Sequence, residues 1–307
     1  MATRHTYASA DNLRDYLAGT NYSSSWTSDA GIISRIVEAS SRLIDNFVGM
    51  QSFGPRTETR YYDIGSGSLR NSPQNVIDTT NNTNIGLSSA FVSAVVLDAW
   101  LISTTSVTSY KSTDRSASEA LTEGYDNDYW LMPYNSTPKV ELKLNEDTAK
   151  SFHGGQQTLA IAGSWGYTND TTPQKTTVDA VSSTTATSVS VASAGDLSPA
   201  QTVLVDSEQL YITSISGNTL TVERGVNGTT AATHSGGASV YLYAYPELVI
   251  QVCLDLGKIA FRDRDLGVTQ TLGSGDIQIT RADSEVWSTL KMLQPYKAVT
   301  NTSEVYF

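Results

Sequence analysis

With 31 acidic against 20 basic side chains in 307 residues, the chain carries a formal net charge of −11. That balance disfavours a surface built to grip nucleic-acid phosphates, which needs clustered Lys and Arg, while a channel wall past which DNA slides can be acidic. A single cysteine, Cys253, excludes an intramolecular disulfide framework, and the length predicts about two domains.

The opening MATRHTYASADN lacks the apolar run of a secretory signal, and nowhere does the chain hold the roughly 18 consecutive apolar residues of a membrane span. A soluble protein made in a cytoplasm, with no membrane contact, is expected. Ser9-Ala10-Asp11 caps a short helix with Leu13, Tyr16 and Leu17 on one face and Gly19 as its stop. Ser28 to Val48 is the strongest helix signal: Ile32, Ile33, Ile36, Val37, Leu43, Ile44, Phe47 and Val48 recur at the 3.6-residue period, with Arg35, Glu38, Arg42 and Asp45 opposite.

Phe53-Gly54-Pro55 breaks that helix, and Thr59 to Ile64 has strand composition. Ser66 to Ser89 is Gly/Ser/Asn/Thr-rich without periodicity and reads as a long loop. Ala94 to Lys111, Tyr129 to Met132, Lys139 to Leu144 and Gln157 to Ile161 read as strands. In the third of these Val140, Leu142 and Leu144 alternate with Glu141 and Lys143, so one face is expected to be buried.

The apolar run ending in Leu159 to Tyr167 (LAIAGSWGY) precedes a change of character. Thr168 to Tyr243 is rich in Ser and Thr, holds Lys175 and Arg224 as its only Lys or Arg, and shows short strand patterns with a hairpin turn at Ser216-Gly217-Asn218. A small β-barrel or sandwich is the economical reading. Pro246 then opens a helix with Leu248, Val249, Val252, Cys253, Leu256, Ile259 and Ala260 on one face. A strand-like Asp276 to Thr280 leads to a last helix near Asp283 to Leu293, and Tyr296 to Phe307 reads as an extended tail.

Chemistry-bearing motifs are scarce. His5, His153 and His234 lack metal-ligand spacing and read as solvent-facing loop residues. Asp126-Asn127-Asp128 lacks the glycine and closing Glu of a calcium loop, and the Gly-Ser-Gly triplets at 65–67 and 273–275 lack the partners of a phosphate cradle. Gly163-Ser164-Trp165-Gly166 does not match the spacing of a nucleophile elbow. No catalytic residue, cofactor or metal site is therefore expected. Arg262, Asp263, Arg264 and Asp265 alternate in sign at a helix end, which fits a solvated surface or a contact between subunits.

Several stretches together resemble bacteriophage head-to-tail connector (adaptor, head-completion) proteins. They are Asp11-Asn12-Leu13, Ala39-Ser40 with Ile44-Asp45, Phe53, Thr59-Arg60-Tyr61-Tyr62, Ile161-Ala162-Gly163 to Trp165-Gly166-Tyr167, Pro246, Arg262, Gly267 and Leu293-Gln294-Pro295-Tyr296. The interval 168–243 departs from that pattern. It resembles a β-module of phage virion proteins in Val205-Asp206-Ser207-Glu208-Gln209-Leu210-Tyr211 and in Glu223-Arg224-Gly225-Val226-Asn227-Gly228-Thr229-Thr230 with Ala232 and His234.

The resemblance implies a non-enzymatic structural protein of the virion neck. Copies would form a ring, commonly of twelve, that binds the portal protein and the tail or nozzle protein and continues a channel through which DNA passes without sequence-specific binding. The tail residues Tyr296, Val299, Val305, Tyr306 and Phe307 would dock on the portal, and Arg262 to Asp265 would meet a neighbouring subunit. The expected fold is α+β: a helical connector core with long helices near 28–48 and 246–262, an antiparallel sheet region, and an inserted all-β barrel or sandwich. The expected domains are a discontinuous core of 1–167 plus 244–307, an inserted module of 168–243, and a tail of 296–307. Another tail-completion or baseplate component is the alternative, and a carbohydrate-binding protein, suggested by 16 Tyr and 5 Trp, is a third.

Overall fold

The computed structural model describes residues 3–18, 30–49, 51–64, 93–145, 147–269 and 281–297. They divide into two compact units, one drawn from Met1–Gly54 and Asn169–Lys297, the other from Pro55–Thr168. The chain is mostly β, with twelve strands in two six-stranded antiparallel sheets and four helices among the described residues.

The expected helical connector core is thus corrected: helices are present at all four anticipated places, but sheets organise the molecule. The physical reason lies in signal strength. An apolar stripe along a helix is one long periodic pattern, whereas short strands show little individually and gain stability only when ladders pair them.

The Pro55–Thr168 unit is built on β1 (Arg56–Ile64), β2 (Ala94–Tyr110), β3 (Ser118–Leu121), β4 (Tyr129–Met132), β5 (Lys139–Leu144) and β6 (Gly155–Trp165), in the order β1-β6-β2-β5-β4 with β3 on β2. β2 serves both halves, pairing with β5 from Ala94 to Leu101 and with β6 from Leu101 to Ser109, and three register shifts bend it on the way. Tyr62, Leu101, Leu142, Leu159, Ile161 and Trp165 anchor the core.

The LAIAGSWGY run contributes most of β6, which lies between β1 and β2. Gly163 is required there, because a Cβ would lie 2.2 Å from the Ser103 carbonyl oxygen of β2. Trp165 is buried, its indole N–H donates to the Glu58 carbonyl at 3.1 Å, and the Arg60 guanidinium covers its ring at 4.9 Å. On β5 the alternation holds at Leu142 and Leu144 and fails at Val140, which is exposed.

The other unit contains α1 (Ala10–Ala18), α2 (Ala30–Phe47), α3 (Glu247–Thr269) and α4 (Arg281–Lys291), with a second sheet. Its strands are β7 (Thr176–Thr177), β8 (Ser188–Ser190), β9 (Thr202–Val205), β10 (Glu208–Ser216), β11 (Thr219–Glu223) and β12 (Ser239–Leu242), in the order β7-β12-β9-β10-β11-β8. The two edges meet through the bridge Val178↔Val191 and the bonds from Asp179 N to Ser190 O and Ala192 N to Thr177 O, each 2.9 Å, so the sheet curls upon itself. Val189, Val203, Val205, Leu210, Ile212, Leu220, Val222 and Val240 fill its interior.

Ser9 accepts a bond from Asn12 N at 2.9 Å and caps α1, as its position before an apolar repeat requires. Gly257 lets Leu13 approach α3, since a Cβ there would meet Leu13 Cδ2 at 2.9 Å. α2 faces α3 where Ser41 Oγ lies 3.6 Å from Cys253 Sγ, and burial pushes the Cys253 thiol up to about 11. Among the described residues no helix is long and apolar enough to cross a membrane. The stretches 66–89 and 276–280 lie outside them.

Candidate assembly site

Residues Thr3 to Ser9 bind the β-module to the helices of the same unit. Arg4 pairs with Glu38 of α2 at 3.0 Å and with Glu223 of β11 at 3.0 Å, while its guanidinium lies 5.0 Å from the centre of the Tyr211 ring. Its backbone N donates to Asn227 Oδ1 at 2.8 Å, its carbonyl accepts from Thr202 Oγ1, and Thr6 Oγ1 donates to the Ala200 carbonyl at 2.6 Å.

His5 is buried against Gly54, where a Cβ would strike the imidazole at 2.5 Å. Its Nε2 lies 3.1 Å from Asn227 Nδ2, a donor, so Nε2 accepts and Nδ1 carries the proton toward Tyr245 Oη at 3.0 Å. Asn227 Nδ2 also donates to Gln209 Oε1 at 2.7 Å. One asparagine side chain thereby joins three residues, Arg4, His5 and Gln209, and its φ of 55° is a left-handed conformation that Asn tolerates well.

A second network closes the module. Glu208 is 0% exposed at its side chain and receives Arg224 Nε and Nη2, each at 2.7 Å, one on each carboxylate oxygen. Gly225 N at 3.0 Å and Ala232 N at 2.9 Å complete its coordination, with His234 Nε2 2.9 Å from Oε2. Burial alone would raise the Glu208 pKa. The Arg224 guanidinium, the Ala232 and Gly225 N–H groups and His234 outweigh it and hold the carboxyl at about 2. His234 Nδ1 faces Asp206 at 2.7 Å, and Arg224 Nη1 donates to the Ser183 and Ala186 carbonyls at 3.2 and 3.0 Å.

The expectation of solvent-facing histidines is therefore overturned at His5 and His234, both buried and bonded. Both acids, the arginine and the histidine of this network fall within the two motif stretches singled out from the sequence. Their role there is to bind the barrel-like curl together, a task for which Glu, Arg and His must converge from three strands or loops. Among the described residues no group of three or more His, Cys, Asp or Glu is placed to hold a metal ion.

The outer surface of this unit carries an apolar strip. Ile36, Leu43 and Phe47 lie along one side of α2, and Trp287 of α4 meets Phe47 edge-on at 5.6 Å. Leu43 is 44% and Trp287 54% exposed, and Lys297 Nζ lies 5.7 Å from the Phe47 ring centre. Large side chains left open together in this way mark a surface suited to a protein neighbour.

Of the tail residues, Tyr296 is half-buried in the turn Gln294–Tyr296 and packs edge-on against Phe53 at 5.2 Å. Val299, Val305, Tyr306 and Phe307 lie outside the described residues. Arg262 pairs within the chain with Glu285 of α4 at 2.7 Å, and the side chains of Asp263, Arg264 and Asp265 lie outside the described residues. No family model, curated protein or solved structure matches the chain.

Proposed function

We propose that the chain is a non-enzymatic structural protein of a phage virion neck, a head-to-tail connector. Copies assemble into a ring, commonly of twelve, between the portal and the tail or nozzle protein, and the ring continues the DNA channel. The observation that carries this reading is the open apolar strip of Leu43, Phe47 and Trp287, next to the Tyr296 turn. A ring needs a heterologous contact, one patch on each copy meeting a different patch on the next, and an aromatic-centred strip is suited to be one half of it.

Two further features support the reading. The net charge of −11 suits a wall that lets DNA slide rather than one that holds it. The Glu208–Arg224–His234 network helps the module hold its shape as an insert, because charge-assisted bonds tie its loops in addition to its apolar interior.

Co-sedimentation with portal rings tests this, using the full chain and a chain ending at Lys297. Full-length protein pelleting with the portal, and weakened pelleting of the shortened form, are expected. Failure of the full chain to pellet with the portal, together with co-assembly with tail-tube or baseplate protein, would move the assignment to a tail-completion or baseplate part.

A further inference from the structure

Separate from the assembly surface, a half-open pocket of about 160 Å³ lies between the first residues of the chain and the β-module, within one compact unit. Its lining includes Asn12, Lys175, Gln201 and Tyr243 but no Asp or Glu. We propose that it is a binding site for a carboxylate.

The argument rests on which hydrogen-bonding groups are already spent. The oxygen of the Asn12 amide is engaged by Ser9 Oγ, and the oxygen of the Gln201 amide accepts from Ser198 N at 2.8 Å. What each amide has left is its N–H pair. The Tyr243 hydroxyl has no hydrogen-bond partner among the described residues, although the residue is only 8% exposed. Burial raises its pKa, so it keeps its proton and can donate. The Lys175 ammonium likewise has no ion-pair or hydrogen-bond partner among the described residues, and it is one of the module's two cationic side chains, the other being Arg224, which is spent on Glu208. The hydroxyls of Thr6 and Thr202, by contrast, already donate to backbone carbonyls.

The pocket therefore offers one positive charge and several neutral donors, with nothing on its wall to neutralise them. Of the four, Tyr243 is buried, Lys175 and Gln201 are half-buried and Asn12 is exposed, and four donors around one opening match an acceptor-only ligand. A carboxylate is favoured over phosphate because a single lysine balances a monoanion and leaves a dianion with a charge uncompensated in a partly enclosed site. The volume admits a group of the size of acetate or the end of a glutamate side chain, so the source is a free small acid or an acidic residue of a protein neighbour.

NMR titration of the full chain at constant ionic strength tests the site with four probes: acetate, the capped peptide acetyl-Gly-Glu-Gly-amide, inorganic phosphate and neutral acetamide. Saturable one-site shifts are expected for a carboxylate probe and not for acetamide. Lys175→Met should weaken binding at least about 10-fold, a loss of about 1.4 kcal/mol. Tyr243→Phe should weaken it several-fold. Neither side chain forms a hydrogen bond or ion pair with the described residues, so both variants should keep the parent's melting temperature. Tighter binding of the peptide than of acetate assigns the carboxylate to a protein neighbour, and the reverse assigns it to a free acid. No saturable response to either carboxylate, phosphate binding tighter than both, or unchanged binding in a folded Lys175→Met variant would overturn the proposal.

Discussion

Glu208 and Arg224 form a two-pronged ion pair with both 2.7 Å bonds out of solvent, and every other donor that reaches Glu208 comes from the loop between Gly225 and His234. The pair thus fixes the path of that loop relative to β10. Burying two charges is unfavourable in itself, so the gain lies in specificity: any other packing of the loop would leave a carboxylate unpaired.

Removing both members should cost less than the sum of removing each alone. Arg224→Leu strands a buried carboxylate and is expected to destabilise the module by about 3–5 kcal/mol. The double variant Glu208→Leu/Arg224→Leu should lose clearly less than the sum of the two single changes. Urea unfolding of the single and double variants gives the coupling, and strict additivity would contradict it.

The same pair predicts an acid-labile stability term. The folded pKa of Glu208 is depressed from an ordinary 4.5 to about 2. Its contribution is therefore present above the unfolded value and is lost as pH falls through the folded one, between about pH 5 and pH 2. The shift corresponds to about 3 kcal/mol. Because other carboxylates titrate in the same window, the informative quantity is the difference in unfolding free energy between the parent and Glu208→Gln. It should shrink across that window, and a difference independent of pH would contradict the prediction.

Asn227 is expected to be irreplaceable for two separable reasons. Asn227→Ala removes the bonds to the Arg4 backbone, His5 and Gln209 and places a Cβ residue without a side-chain amide at φ 55°, whereas Asn227→Gly removes only the bonds. The glycine variant should lose about 1–3 kcal/mol and the alanine variant about 1 kcal/mol more. Thermal unfolding of the two variants, compared with the parent, checks the order.

Gly163 makes a prediction for the other unit. Alanine there must push β6 away from the Ser103 carbonyl, so Gly163→Ala should cost about 1–3 kcal/mol by overpacking. Chemical denaturation of the variant and the parent, followed by circular dichroism, checks the size of the loss.

The helices were legible in the sequence because each writes a long apolar stripe; Ile33, Val37 and Ile44 are all buried as their spacing requires. Their weight in the fold was not legible, since periodicity ranks elements by the clarity of their pattern, and β7 and β8 are too short to show any. The strand pattern was right at Leu142 and Leu144 and misleading at Val140, where alternation continues past the buried part of the sheet. His5 and His234 escaped because their partners are remote: Tyr245 and Asn227 lie far along the chain from His5, and Glu208 reaches His234 only after the hairpin closes. The signal that pointed to the second network was motif recurrence in Glu208, Arg224 and His234, read as likeness and not as a convergence of charge.

The strip on α2 and α4 should be separable from folding. Leu43→Asp changes an exposed position and should move stability by only about 0.5 kcal/mol, while Trp287→Lys also gives up the edge-on contact with Phe47, worth about 0.5–1.5 kcal/mol; self-association and portal binding should fall in both. Sedimentation velocity and melting temperature measured on the same samples distinguish the two effects.

The most direct test of the connector assignment is negative-stain imaging of the purified chain, alone and mixed with portal rings. Closed rings that stack coaxially on the portal, and that fail to form with Trp287→Lys, are the predicted result. A persistent monomer that ignores the portal would contradict it.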